Sequence, residues 1–392
     1  TSTLPIRQHA NEGETFEVDG FFNFHPRWSP DGKRVAYLSN KGYDFSATSL
    51  YVKDLATNLT TNFPIEGLQE TYFATQCSHG HRLQAGVSGA FSWTPDGKKI
   101  IFAKIKDTAN GHLYSDLYEL DLTTKKTKQL TKNQRAASPT ISPNGAEIAF
   151  IQQYDGTTNL AKWNGNGEIS PVTDFKDGSQ VLDAQWHGDW IYFTKSGGGN
   201  PDLFRIKPDG TALESVYQSP HDERNISVSG NYLYFSSDAS GIFNLYRLPL
   251  NHLNETLPEA LTNVLGGAFM PNVHPTGEVL FARYEASGYK IAKTNSNSTV
   301  KTNPYSPPKI IEKQLLHQDF DWNTLNNADD RETKPLVTNE PPVKPYDPTF
   351  SKLGFIPVLR MDDYNSPARS VDAAIQRSGT EELLRATKVG VM

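Results

Sequence analysis

A strand–turn–strand unit recurs six times in the first 294 residues, and it constrains the fold more than anything else in the chain. It reads HPRWSPDGKRVAYLSN at 25–40, AFSWTPDGKKIIFAKI at 90–105 and SPTISPNGAEIAFIQQ at 138–153. It continues as DAQWHGDWIYFTKS at 183–196, NISVSGNYLYFSSD at 225–238 and MPNVHPTGEVLFARYE at 270–285. Aligned on Trp28, Trp93, Ile141, Trp186, Val228 and Val273, the copies are 65, 48, 45, 42 and 45 residues apart. Periods of ~40–50 residues with several strands each are the mark of a propeller.

The side-chain pattern carries the same message. Two positions before each anchor lie Pro26, Phe91, Pro139, Ala184, Ile226 and Pro271, all apolar. Between the two apolar positions lie Arg27, Ser92, Thr140, Gln185, Ser227 and Asn272, all polar. Alternation with period two, held in register over six copies, specifies a strand with two distinct faces. Pro-Asp-Gly or Pro-Asn-Gly then supplies a fixed φ followed by a residue that tolerates positive φ. In the fourth and fifth copies Gly188-Asp189 and Gly230-Asn231 shorten this turn to a two-residue hairpin. A second strand follows (VAYL, IIFA, EIAF, WIYF, YLYF, VLFA), then a third (SLYVKDL, DLYELDL, NLAKWN, DLFRIKP, NLYRLPL, YKIAKTN). Short fourth strands such as 128–131 and 259–262 end several units. The reading is an all-β, six-bladed β-propeller of four-stranded antiparallel blades. The last copy lacks its fourth strand, and the segment near Glu14–Val18 is expected to supply it.

Composition narrows the function. A net charge of −6 and a pI near 5.9 argue against a nucleic-acid binder. A single cysteine, Cys77, rules out a disulfide framework within the chain and any Cys-rich zinc module. No apolar run approaches the ~20 residues of a spanning helix. The chain opens at Thr1 without Met, which reads as a processed product, so a missing leader carries no weight on compartment. Four segments are expected: 1–20 closing the ring, 21–300 the propeller, 301–367 an extended connector, and 368–392. Ten of the 25 prolines fall between Asn303 and Pro367. The last segment reads as a short helix over 370–387, a frayed terminus, or the start of a following domain.

These repeats resemble the TolB-type propeller repeat of bacterial envelope proteins, centred on Trp-Ser-Pro-Asp-Gly. SSDASGIFNLYRLPL at 236–250 and the stretch 261–292 are similar to a subgroup in which the propeller precedes an outer-membrane barrel of the surface-antigen type. Tyr305-Ser306-Pro307 and the segment 344–364 are similar to the connector of that subgroup. The resemblance implies a non-enzymatic interaction domain on the periplasmic side of the outer membrane. Its partner would be an envelope protein or peptide, with a barrel either in its own chain or in a separate one. No alternating ~10-residue barrel strands precede Met392, so the expectation is that the barrel was removed or is disordered, or that this member never had one. The propeller itself calls for no lipid contact, nucleic acid or cofactor.

Candidate binding residues follow from strand order. Loops joining strands two to three and blade to blade are long and varied, and fall on one face. Rigid scaffolds usually carry binding on such loops. The longest, 66–89, contains Cys77, His79, His81 and Arg82. Cys, His and His at i, i+2 and i+4 can ligate a metal on a strand, but no fourth ligand is evident, and a polar loop is the preferred reading. Arg135, Asp183 and Arg224 are placed just before inner strands, ringing the channel mouth. They would bind a carboxylate terminus or acidic segment, or else satisfy loop carbonyls and one another. Arg27 is the one charge in the polar inner series; it faces the channel or pairs with a neighbouring blade. The alternative function is a propeller enzyme or metal-dependent hydrolase with its site in the channel. There is no G-x-S-x-G, H-E-x-x-H or Walker sequence to support it.

Overall fold

The computed structural model describes residues 11–41, 48–63, 90–107, 113–154, 156–197, 199–251, 253, 256–302, 357–361 and 387–391. The chain divides into two compact units, 1–304 and 305–392.

In the first unit a lone strand, β1 (Glu14–Glu17), precedes the blades. Blade 1 is β2 (Asn23–Trp28), β3 (Arg34–Ser39), β4 (Ser49–Asp54) and β5 (Thr60–Phe63). Blade 2 is β6 (Ser92–Trp93), β7 (Lys99–Asp107), β8 (Leu113–Asp121) and β9 (Thr127–Gln129). Blade 3 is β10 (Ala136–Ile141), β11 (Ile148–Tyr154), β12 (Thr157–Trp163) and β13 (Ile169–Pro171). Blade 4 is β14 (Gln180–His187), β15 (Trp190–Ser196), β16 (Asp202–Ile206) and β17 (Glu214–Tyr217). Blade 5 is β18 (Glu223–Ser229), β19 (Tyr232–Ser237), β20 (Asn244–Pro249) and β21 (Glu259–Ala260). Blade 6 is β22 (Ala268–Val273), β23 (Glu278–Glu285) and β24 (Gly288–Asn295). Its fourth strand is β1, paired antiparallel with β24 from Glu14 opposite Lys293 to Glu17 opposite Ile291. The ring is thus closed by the start of the chain.

The turns form as the sequence dictates. Ser29 donates from Oγ to Asp31 and receives the Arg34 N–H at 2.9 Å. Thr94 with Asp96 and Ser142 with Asn144 repeat the arrangement. Second strands sit between neighbouring blades, so both faces are apolar and buried, as in Val35–Leu38, Ile148–Ile151 and Val279–Ala282. The buried side chains accordingly fall into six clusters, one per blade interface. Among the described residues the smallest joins blade 6 to blade 1 through Val35, Tyr37, Tyr51, Leu280 and Ile291.

A polar lock, unanticipated from the repeats, ties third strands to the loops that leave each blade. Asp116 on β8 accepts from Thr131 Oγ1 (2.9 Å) and from the N–H groups of Asn133 (2.8 Å) and Gln134 (3.0 Å). Asn159 on β12 accepts from Thr173 Oγ1 and the Phe175 N–H, and Asn244 on β20 from Thr262 Oγ1 and the Val264 N–H. Each threonine receives the next third-strand N–H in return, from Leu117, Leu160 and Leu245. A buried acceptor that satisfies several loop donors cannot be removed cheaply.

In the second unit β25 (Pro357–Met361) and β26 (Thr387–Val391) pair antiparallel, Pro357 opposite Val391. The sequence gives no strand signal there: a proline opens β25, and Thr387 begins a strand where a helix was expected to end. The remainder of that helix, 370–386, lies outside the described residues.

Asp116→Asn keeps the two bonds to Oδ1 but sets an amide donor against the Asn133 N–H, so it should cost about 1–2 kcal/mol, whereas Asp116→Ala should cost about 2–4 kcal/mol. Urea denaturation of the two variants checks the ordering.

Candidate functional site: the channel and its mouth

The polar positions of the inner strands are engaged between blades. Ser92 donates to the Pro139 carbonyl at 2.8 Å, and Thr140 accepts the Trp186 N–H at 2.8 Å. Gln185 spans to blade 5 twice, accepting from the Val228 N–H and donating to its carbonyl. Asn272 accepts the Trp28 N–H at 2.7 Å and so stitches blade 6 to blade 1.

Arg27 and Asp183 add charge to this wall. They lie on blades 1 and 4, opposite one another in a ring of six, and they attract each other without forming an ion pair among the described residues. Of the two readings of Arg27, the structure shows the pairing: its Nη1 donates to the Pro271 carbonyl of the neighbouring blade at 3.2 Å. Burial lowers its pKa to about 10, with the pull of Asp183 a smaller effect the other way. Burial likewise raises the Asp183 carboxyl, against the smaller opposing pull of the nearby Thr194 hydroxyl and the Ile226 and Asn225 N–H groups. Its Oδ2 takes the Ile226 N–H at 3.1 Å, while Oδ1 is buried without a partner.

Five inner strands carry a bulge, which moves two of the expected residues. In four, the residue three before the anchor has positive φ: His25 (49°), Ser138 (45°), Asn225 (57°) and Met270 (57°). Non-glycine residues pay roughly 1–2 kcal/mol for this conformation. A bulge bends its strand and re-aims the side chains beside it. Pairing therefore resumes on the mouth side of the bulge, and Arg224 and Asp183 lie inside β18 and β14 instead of before them. Arg135 does precede β10, exposed and 5.1 Å over the Tyr114 ring. Cys77, His79, His81 and Arg82 lie outside the described residues. Among the described residues no group of three or more His, Cys, Asp or Glu is placed to hold a metal.

At the blade 4–5 crossing the mouth is charged. Arg224 forms a bidentate pair with Asp222 and lies 5.0 Å over Phe243. Beside it Glu223 is 1% exposed. Its Oε1 accepts from Ser219 (2.8 Å) and Ser237 (3.1 Å), and its Oε2 is buried without a partner. Desolvation raises its pKa to about 7 against those two hydroxyls, with Asp202 and Asp238 adding a smaller push upward.

Beyond Phe243 runs an aromatic crescent that no charge pattern or motif in the sequence announces. Phe243 meets Phe269 at 5.0 Å, Phe269 meets Tyr289 at 6.0 Å, Tyr289 meets Phe24 at 4.9 Å, and Phe24 stacks on Phe22 at 5.3 Å. Tyr284 joins through Tyr289, and Phe21 through Phe22. All lie near strand ends on the long-loop face of blades 5, 6 and 1. Tyr284 is 43% exposed and the others are half-buried. The one local signal was Phe-Phe-Asn-Phe at 21–24, aromatic residues crowded into a crossing loop. The length contrast between faces is weaker than expected in later blades, where β23 and β24 are joined by two residues.

Fold and mouth define a class: a ring-closed, six-bladed β-propeller repeat protein with an aromatic and charged rim on one face. No family model matches the chain. Its repeats are TolB-like in sequence. The chain is 26% identical over 271 residues to the uncharacterized protein Atu1656 of Agrobacterium fabrum, covering 66% of this chain and 84% of that one. It is 28% identical over 156 residues to the Tol-Pal system protein TolB of Francisella tularensis subsp. holarctica, covering 33% of this chain. That match spans 35% of the Francisella protein's own length. Among solved structures, TolB of Acinetobacter baumannii gives a TM-score of 0.51 at 16% identity, over 70% of this chain and 65% of that one. A puromycin hydrolase gives 0.51 at 10% identity, over 73% and 54%. At these identities the two structures speak for the fold alone.

Glu223 sets a pH dependence. A carboxyl whose folded pKa exceeds its unfolded value of 4.5 adds stability below that value, and the contribution is lost as pH rises through about 7. The wild-type protein should lose about 2–3 kcal/mol of stability between pH 5 and 8 relative to Glu223→Gln. Paired denaturation curves across that range give the difference directly.

Proposed function

We propose that this chain is a non-enzymatic protein-interaction module of the bacterial cell envelope, working on the periplasmic side of the outer membrane. It binds a protein or peptide partner at the long-loop face and channel mouth, with Arg135, Arg224 and the rim around Asp183 contributing contacts and Arg27 lining the channel below. His79, His81 and Arg82, on the longest crossing loop, belong to the same proposed surface. A tether to an outer-membrane barrel, in the same chain or another, completes the reading.

The observation that carries it is the half-exposed aromatic crescent, continuous with Arg224 and confined to one face. Aromatic side chains and arginine are the groups most enriched at interface hot spots. The envelope assignment draws on the Tol-Pal naming of a sequence relative, which this chain matches over a third of its length. Against an enzyme stands the engagement of the lumen's polar groups: four of the six inner polar side chains bond the backbone of the next blade. The alternative is a propeller enzyme or metal-dependent hydrolase with its site in the central channel.

Photo-crosslinking residues placed at Phe243 and Arg135 should capture one and the same partner in the producing cell's envelope fraction. The same residue at Asp31, on the tight-turn face, should capture none. Equal capture from both faces, or a protein found only in the cytoplasmic fraction, would refute the proposal.

A further inference from the structure

The crescent is a built surface. Glycines hold it at close range: a Cβ at Gly288, whose φ is +99°, would fall 2.2 Å from the Phe21 carbonyl oxygen and 2.8 Å from its ring. At Gly266 a Cβ would lie 2.1 Å from the Tyr284 carbonyl oxygen. The backbone that carries Phe21 and Tyr284 is therefore held at close range, and these two residues lose little freedom when something settles on them.

The chemistry of the rim says what that something is. Four cations beside the crescent already have partners. Arg283 pairs with Glu285 and donates to the carbonyls of Glu12 and Gly13, and Lys290 donates to those of Val18 and Gly20. Arg224 is held by Asp222, and Lys41 by Asp19. A surface whose charges are paired among themselves offers nothing to a charged ligand except the cost of stripping water from it. What it does offer is a row of ring faces and two donors. The Tyr284 and Tyr289 rings lie 4.9 Å apart, and neither hydroxyl has a hydrogen-bond partner among the described residues. The matching ligand is uncharged, rigid and rich in carbonyl acceptors, with flat apolar rings of its own.

We propose that the crescent takes an extended, proline-containing segment of a partner protein in the polyproline II conformation. This deepens the binding role proposed above and rests on it. Pyrrolidine rings seat on Phe269, Tyr289 and Phe24, and the phenol hydroxyls of Tyr284 and Tyr289 donate to carbonyls that proline leaves without competing N–H groups. Linked ring-to-ring steps of 4.9–6.0 Å run from Phe243 to Phe22. They make a track of at most ~21 Å, enough for about six residues at ~3.1 Å each.

The test uses the full chain and two blocked decapeptides, acetylated decaproline amide and a Gly-Ser repeat of equal length, titrated calorimetrically to millimolar concentration. Decaproline should saturate and bind at least tenfold more tightly than the Gly-Ser peptide. The double substitution Tyr284→Phe and Tyr289→Phe should weaken it about fivefold without changing Tm, and Phe269→Leu should weaken it at least as much. Lys33→Ala, on the tight-turn face, should leave it unchanged. No saturation by decaproline, equal binding of both peptides, or unaltered binding by the double variant would overturn the proposal. So would crescent-dependent sedimentation with phosphatidylethanolamine–phosphatidylglycerol vesicles in place of peptide binding, which would make the surface a lipid contact. If crosslinks still arise from the long-loop face while decaproline fails, only the proline reading falls. If decaproline binds while crosslinks arise from the opposite face, the general reading falls instead.

Discussion

Everything in the propeller depends on four residues at one end of the chain pairing with a strand nearly three hundred positions away. β1 supplies the outer strand of blade 6, so the last blade is complete only when the first segment has returned to it. This joint is also where apolar burial is least among the described residues, and polar groups compensate. Tyr37 donates its hydroxyl to Glu17 at 2.9 Å, Asn23 donates to the Tyr289 carbonyl, and the Tyr289 N–H bonds the Phe21 carbonyl at 2.7 Å. Such bonds are directional where burial is not, and they fix the register in which the ring shuts.

The same economy decides where ligands can go. A propeller lumen is lined by inner strands, and here most of their polar side chains hold the next blade in place. Freeing one for a ligand would leave a buried backbone group unpaired. Arg27 and Asp183 attract each other across what remains, and burial shifts the pKa of each toward its neutral form. Partly exposed aromatic surface lies instead at the mouth, where strand ends release these side chains from the alternation that governs the blades.

Much of the architecture was legible because each blade repeats a local pattern. Trp28, Trp93 and Trp186 mark a register that period-two alternation requires, and Pro-Asp-Gly marks a turn whose backbone few other residues adopt. The bulges were not legible. His25, Ser138, Asn225 and Met270 share a conformation but no chemistry, so nothing in their identity announces positive φ. That is why Asp183 and Arg224 read as loop residues. The Asp116–Thr131 type of lock was within reach, since Leu-Thr or Val-Thr follows the fourth strand in several copies, but its meaning needs the third strand beside it. The crescent is non-local in the strongest sense. Phe22, Phe243, Phe269 and Tyr289 come from three blades and become neighbours only once the ring has closed.

That closure sets a clock. Glu14 is made early and its partner Lys293 late. At roughly 5–20 residues per second of synthesis, the first strand waits on the order of 15–60 s for the edge it must join. Blades 1 to 5 can stack on one another as they emerge, each covering the flank of the one before. The outer flank of blade 1, with Val35, Tyr37 and Tyr51, stays uncovered throughout. A nascent chain of this design therefore carries an adhesive apolar edge for most of its birth, and whatever shields that edge governs how much of it survives to become a ring.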